Sequence, residues 1–313
     1  LVGSEMCIRD RLKKEWNVVS STENTFPTGQ STKRIDFVVA LKSPATSVVK
    51  SNVVYNLDGV NVSMASDHYP LYCDFRKVTA LEEFPKAAGD LRIANYFTKN
   101  CAGTDGIIDY DRIAAVINKM NSDIICLQGL DKETERSSGI DQLNTLAQKS
   151  NMHDYFAKAI DYKGGEFGVG ILTKDEPISV DRYQMPGKSE MRAAMVVEYE
   201  KFVVASTNFD TDMAKRIEAL QTLHTKLSAY NKPAFLAGYF NEGNLESDFF
   251  KKVKEDWNLL SADKSTENGG KQRRLDFIVS LKDHGVTVTQ ADVMEYLTGA
   301  DVAVSYTHLT LPT

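Results

Sequence analysis

Cysteine, tryptophan and proline are scarce in this chain, with 4, 2 and 8 of each among 313 residues. Cys7, Cys73, Cys101 and Cys126 show no CxxC spacing and no histidine at zinc-ligand distance. Neither a disulfide framework nor a zinc knot is therefore expected, and the thiols read as buried or incidental. Positive charge is in deficit too, since 37 Lys and Arg against 43 Asp and Glu leave a formal charge of −6. That balance argues against the broad cationic footprint that drives nonspecific nucleic-acid binding. Long apolar runs are missing: none approaches the roughly 20 residues of a membrane-crossing helix. What is present, 42% hydrophobic and 26% charged residues, is the ordinary composition of a chain that buries a sizeable core. The native N-terminus is expected to be missing, so cytoplasmic and exported destinations both stay open.

The two ends differ in character from the rest. Residues 1–11 and 304–313 resemble translated sequencing-adapter read-through of the kind found at the ends of assembled environmental sequences, and they are set aside from the fold reading. Between them lies a repeat. Trp16-Asn17-Val18-Val19, Arg34-Ile35-Asp36-Phe37-Val38-Val39 and Leu41-Lys42 return as Trp257-Asn258-Leu259-Leu260, Arg274-Leu275-Asp276-Phe277-Ile278-Val279 and Leu281-Lys282, with Asp36 and Asp276 240 positions apart. A period that long points to a duplicated domain and not to a solenoid. Residues 12–78 then read as the C-terminal part of a first copy and residues 91–305 as a second copy. The linker, 79–90, is marked by Glu82, Glu83, Pro85 and Gly89. A segment of roughly 65 residues closes no core of its own, so it is expected to pack with the remainder of its own domain.

Within 91–305, strands and helices alternate. Leu91 to Phe97 alternates apolar and polar, predicting a half-buried strand, and Asp123 to Leu127 reads as a fully buried one. Ile113, Val116, Ile117 and Met120 predict a helix over 110–120. Further helices are expected over 140–149 and 213–230, the second carrying Ile217, Leu220, Leu223, His224 and Leu227 on one face. Residues 167–172, 195–199, 202–207 and 233–238 are read as strands. Many strands and few long helices suggest two packed sheets flanked by helices.

The motif order carries a family resemblance. Arg92-Ile93-Ala94-Asn95-Tyr96, Asp123-Ile124-Ile125-Cys126-Leu127-Gln128, Ala159 to Gly168, Glu190-Met191-Arg192, Leu236-Ala237-Gly238-Tyr239-Phe240-Asn241 and Leu275-Asp276-Phe277-Ile278 follow one another as in the endonuclease/exonuclease/phosphatase family, which the chain resembles. The first copy adds Thr25-Phe26-Pro27, Ile35-Asp36-Phe37 and Ser66-Asp67-His68-Tyr69-Pro70, similar to that family's closing motifs. The resemblance implies an α+β fold: a four-layer sandwich of two packed, mostly antiparallel sheets flanked by helices, preceded by an N-terminal partial copy. It also implies magnesium-assisted phosphoester hydrolysis, in which carboxylates and waters hold the ion.

Against that family pattern the second copy departs where the chemistry is done. The glutamate of the family's Leu-Gln-Glu motif falls at Gly129 and the first-strand asparagine at Phe97. The aspartate of Gly-Asp-Phe-Asn falls at Tyr239, the histidine of Thr-His at Asn208, and an asparagine that follows Tyr-Gly at Val169. Asn241 and Asp276 match, either for chemistry or for hydrogen bonds at strand ends. In the first copy Asp36, Asp67 and His68 keep the types and spacing of a working member. No metal set is intact, so no cation is expected on this chain although magnesium serves the family. The near-complete domain is expected to be catalytically inactive, a scaffold or binding partner. The alternative is an active magnesium-dependent phosphodiesterase or phosphatase with a rebuilt site drawing on Asp131, Glu166, Asp210 and Glu242. A phosphoester ligand stays open under both, its substrate class unread. His224 is expected as a core or boundary residue, His153 at the surface, and Gly164-Gly165 as a turn between strands.

Overall fold

The computed structural model describes residues 16–41, 46–77, 86–266, 273–294 and 306–312. The opening residues 1–11, the linker residues 79–85 and residues 304–305 lie outside that set. The chain divides into two compact units, residues 1–82 and 83–313.

The first unit holds two antiparallel ribbons. Strand β1 (Trp16–Val18) pairs with β2 (Val39–Leu41), and β3 (Thr46–Val53) pairs with β4 (Leu71–Lys77). Between the last two, a single helical turn α1 (Val62–Ala65) is capped by the Asn61 side chain.

The second unit is a sandwich. Its strands are β5 (Asp90–Phe97), β6 (Ile124–Lys132), β7 (His153–Tyr162), β8 (Gly165–Thr173), β9 (Ser179–Met185) and β10 (Arg192–Glu198). They continue with β11 (Val203–Asn208), β12 (Ala234–Tyr239), β13 (Trp257–Leu259), β14 (Asp276–Leu281), β15 (Gln290–Met294) and β16 (Tyr306–Pro312). One sheet runs β13-β14-β12-β11-β10-β9 and the other β15-β16-β5-β6-β8-β7. Each is antiparallel except at one central pair, β11 with β12 and β5 with β6.

Period-two patterning decides what each strand face buries. On β10, Ala193, Met195 and Val197 join Ile93, Cys126, Val169, Ile171, Phe235 and Ile278 in the core between the sheets. The alternate residues Ala194 and Val196, with Ala205, Leu236, Phe277 and Val279, face outward onto helices α4 (Met213–Leu227) and α5 (Asp248–Asp256). Helices α2 (Tyr110–Met120) and α3 (Gln142–Ser150) cover the other sheet, with Leu143 against Gly170 on β8. The layers are thus helix, sheet, sheet, helix. All four helices begin on a side-chain cap, Asp109, Asp141, Asp212 and Ser247 accepting from the third backbone N–H onward.

Several expectations need correction. Leu91 to Phe97 is not half-buried: every residue from Leu91 to Tyr96 is enclosed, because this central strand has the opposing sheet on one face and helices on the other. The helix from Met213 ends at Leu227, three residues early, where Ser228 caps it. Strands β7 and β9 and helix α5 went unread. The closing segment, set aside on sequence grounds, has Tyr306–Pro312 paired between β15 and β5. Lys163 and Gly164 form the β7–β8 turn with φ of 43° and 82°, the two-residue hairpin that requires positive φ at both positions. Of the thiols, Cys101 and Cys126 are buried and Cys73 is partly so, while Cys7 lies outside the described residues.

Candidate functional site

At one end of the sandwich the inward-facing positions change from apolar to polar. After Ile93 on β5 comes Asn95, after Cys126 on β6 comes Gln128, after Val204 on β11 comes Ser206, and before Ile278 on β14 stands Asp276. All four are buried, and they form one chain across both sheets. Asn95 donates Nδ2 to Asp276 Oδ1 at 2.9 Å, and Gln128 donates Nε2 to Asn95 Oδ1 at 2.8 Å and to Ser206 Oγ at 3.3 Å. Burial pushes the Asp276 carboxyl up to about 7, against hydrogen bonds from Thr266 and Asn95 that favour the charged form. A carboxyl so placed stays protonated through mildly acidic conditions.

One step nearer the rim sit Phe97, Asn208 and Tyr239. Asn208 and Tyr239 are direct partners across β11 and β12, and Tyr239 is also opposite Asp276 across β12 and β14. The rings of Phe97 and Tyr239 meet with centroids 4.6 Å apart. Behind them Gly129, at φ +73°, occupies the bulge where β6 shifts register, and a Cβ there would lie 3.3 Å from Phe97 Cε2 and from the Lys99 backbone nitrogen. The four positions that the resemblance marks as departures therefore lie close together, Asn208 opposite Tyr239, Tyr239 against Phe97 and Phe97 against Gly129. An aromatic pair fills the space, and neither ring offers a hard anionic oxygen to a divalent cation. Val169, by contrast, is part of the core between the sheets.

The two matching residues, Asn241 and Asp276, both make hydrogen bonds at strand ends. Asn241, left-handed at φ 54°, donates Nδ2 to the Phe209 carbonyl at 2.7 Å and accepts from Arg216 through its own carbonyl at 3.2 Å. It ties the end of β12 to the end of β11, a position where Asn tolerates the left-handed backbone.

The carboxylates proposed for a rebuilt site do not converge. Asp131, fully buried, takes two bonds of 2.7 Å from the Arg136 guanidinium, which lies over the Tyr162 ring. Asp210 accepts from Arg192 at 3.0 Å, Glu242 from Arg216 at 3.2 Å, and Glu166 lies 3.4 Å from the Lys158 ammonium. Each already neutralises a cation of its own. Among the described residues no three His, Cys, Asp or Glu side chains are placed to share a metal ion. Around Phe97, Gly129 and Tyr239 the described side chains bring no set of carboxylate oxygens together of the kind magnesium prefers.

The first unit brings two of its three candidates together. His68 Nδ1 is 2.8 Å from Asp36 Oδ2, which also accepts from Thr25 Oγ1 at 2.5 Å. Desolvation works to raise the Asp36 carboxyl, but the Thr25 and His68 hydrogen bonds with the His68 charge outweigh it and hold the group below the usual carboxylate range. Asp67 is exposed beside them, and its carbonyl accepts from the Thr28 N–H. His153 is exposed at the start of β7, and His224 is half-buried with its ring 6.3 Å from that of Trp257. Sequence reasoning missed Asn95, Gln128 and Ser206 as site residues. The signal was available in the break from apolar to polar inward positions near the ends of three strands.

No family model matches the chain, and no curated protein does. Solved structures do. The chain is similar to an endonuclease/exonuclease/phosphatase from Beutenbergia cavernae DSM 12333, at 17% identity and a TM-score of 0.61 over 71% of each chain. It is similar to one from Bacteroides vulgatus at 16% identity and TM-score 0.59, covering 71% of this chain and 98% of that one. A mannosyl-6-phosphatase from Bacteroides thetaiotaomicron VPI-5482 matches at 15% identity and TM-score 0.54, over 71% of this chain and 99% of that one. At these identities the likeness shows the fold.

Proposed function

We propose that the chain is a member of the endonuclease/exonuclease/phosphatase superfamily whose near-complete domain, residues 91–305, is noncatalytic and acts as a scaffold or binding partner. The observation that carries this is the Phe97–Tyr239 ring pair over Gly129, at the strand ends where the family's motifs keep asparagine, aspartate and glutamate. Phosphoester hydrolysis by metal assistance needs oxygen ligands converging on one point. Here the nearest retained carboxyl, Asp276, is committed to a buried hydrogen-bond chain, and Asp131, Asp210 and Glu242 are each held by an arginine.

Residues 12–78 are read as the C-terminal part of a first copy. Support comes from matching local contacts as well as matching residues. Trp16 opposes Leu41 as Trp257 opposes Leu281, and Arg34 reaches the Ser20 carbonyl as Arg274 reaches that of Ser261. In that copy Asp36, Asp67 and His68 are the remnant of a working phosphoesterase site.

The test is hydrolysis of a generic phosphodiester, bis(p-nitrophenyl) phosphate, by the full chain under a magnesium titration. No magnesium-dependent turnover is expected. Turnover that needs magnesium and disappears in Asp276→Ala would defeat the noncatalytic reading in favour of a rebuilt site.

A further inference from the structure

The two units share a hydrogen-bonding frame up to one sheet edge, where they part. Val19 N–H donates to the Val38 carbonyl at 2.9 Å as Leu260 does to that of Ile278 at 3.0 Å. Thr25 N–H donates to the Lys33 carbonyl at 2.9 Å as Thr266 does to that of Arg273 at 3.0 Å. Arg34 stacks on Phe37 as Arg274 stacks on Phe277, at 4.7 and 4.5 Å. In the second unit the far edge of β14 takes β12, from Phe235 opposite Ser280 to Tyr239 opposite Asp276. Phe277 is there fully enclosed by Phe240 and Phe250, and Leu275 is 5% exposed. In the first unit, among the described residues, β2 pairs with β1 alone. Ile35 and Phe37, standing where Leu275 and Phe277 stand, are 37% and 39% exposed.

Backbone direction makes the difference specific. The Val38 carbonyl faces β1, and in an antiparallel ribbon successive residues turn their N–H and C=O groups to opposite sides. Phe37 and Val39 therefore aim theirs at the far edge, as Phe277 and Val279 do toward β12.

We propose that residues 34–41 are a strand-addition site for an extended apolar polypeptide segment of the kind formed by Ala234–Tyr239 followed by Phe240. Main-chain bonds to Phe37 and Val39 would supply affinity, and cover for Ile35 and Phe37 the selectivity. The occupant is uncharged along the strand, small opposite Phe37 as Gly238 is opposite Phe277, and aromatic just beyond. The inference rests on the reading of the first unit as part of the same fold.

The experiment titrates a synthetic peptide of the sequence of residues 233–241, with two added C-terminal lysines for solubility, into the full chain while amide exchange is followed by NMR. The Phe37 and Val39 amides are expected to slow roughly tenfold or more on strand pairing, with Val38, Phe277 and Val279 unchanged. Val39→Pro, which deletes an edge N–H without removing a backbone hydrogen bond to β1, abolishes the slowing, as does Phe37→Asp at a side chain already exposed. Unchanged exchange of Phe37 and Val39 up to the peptide's solubility limit overturns the proposal, and so does slowing that survives both variants. Either failure leaves the noncatalytic reading untouched, because that is decided by magnesium and phosphodiester at the second unit's strand ends.

Discussion

Phe97 and Tyr239, one from each sheet of the sandwich, hold their ring centroids 4.6 Å apart at an interplanar angle of 31°. Such an offset pair contributes about 0.5–1.5 kcal/mol beyond its area burial. It also closes the rim above the buried Asn95–Asp276 bond. The contact joins the two positions at which the family resemblance places an asparagine and an aspartate, and Gly129 behind them gives the Phe97 ring its space.

That coupling is measurable. Gly129→Glu places a side chain at φ +73°, against the Phe97 ring and the Lys99 backbone, and is expected to cost about 1–2 kcal/mol. In a Phe97→Asn background one of the two crowding groups is gone, so the cost falls. Urea unfolding of wild type, both single variants and the double variant reads the interaction directly. Equal costs in the two backgrounds would contradict the packing described.

Asp276 makes stability depend on pH. Its folded pKa is raised from 3.8 to about 7, so within that window the unfolded chain has released a proton that the folded chain keeps. This group's contribution to stability therefore falls as pH rises from about 4 to about 7, with a slope of up to about 1.4 kcal/mol per pH unit. Asp276→Asn, which cannot ionise, is expected to flatten that part of the profile. Thermal or urea unfolding across the window checks it, and an unchanged profile in the variant would refute the assignment.

The residues explain which parts of this were legible in the sequence. Helix α2 was readable to the residue because Asp109 caps it, Ile113, Val116, Ile117 and Met120 make its stripe, and left-handed Asn121 ends it. Strand β7 was not, since its side chains are mostly half-buried and give no clear alternation. Helix α5 was missed because its apolar residues, Phe249, Phe250 and Val253, crowd into nine residues and show barely more than one turn of pattern. At the site, motif order supplies only the expectation that Phe97, Gly129, Asn208 and Tyr239 depart from the family pattern. The ring contact and the inter-sheet hydrogen bonds could not be read from it, because they join residues far apart in the chain, Asn95 to Asp276 above all.

Arg136 holds a buried charge in place. Asp131 is fully enclosed and takes two bonds from that guanidinium, so Arg136→Ala strands a carboxylate and is expected to cost roughly 3 kcal/mol. Adding Asp131→Asn should recover part of the loss. Denaturation of the three variants tests this, and a single-variant cost below about 0.5 kcal/mol, the scale of a surface pair, would contradict the pairing.

In the first unit the Asp36 carboxyl responds to its neighbours. Removing the histidine bond with His68→Ala, or the hydroxyl with Thr25→Val, is expected to move the Asp36 titration upward, because both partners favour the charged form. A depressed carboxyl stabilises above its ordinary value, and that contribution is lost as pH falls through its folded value. With the side chain 36% exposed, the contribution is a few tenths of a kcal/mol. Carboxylate-carbon NMR of wild type and both variants checks it, and no upward movement in either variant would break the assignment.

Under the noncatalytic proposal, the strand ends around Gly129, Tyr239 and Asp276 offer no grip to a divalent ion. Manganese is the most direct probe, since its unpaired electrons broaden NMR signals of nearby amides. Titrated into the full chain, it is expected to leave the amides of residues 97–99, 128–130 and 239–241 no more broadened than exposed carboxylate surfaces elsewhere. Selective, saturable broadening centred on those three segments would mean that a cation is held there, and the noncatalytic account would fall.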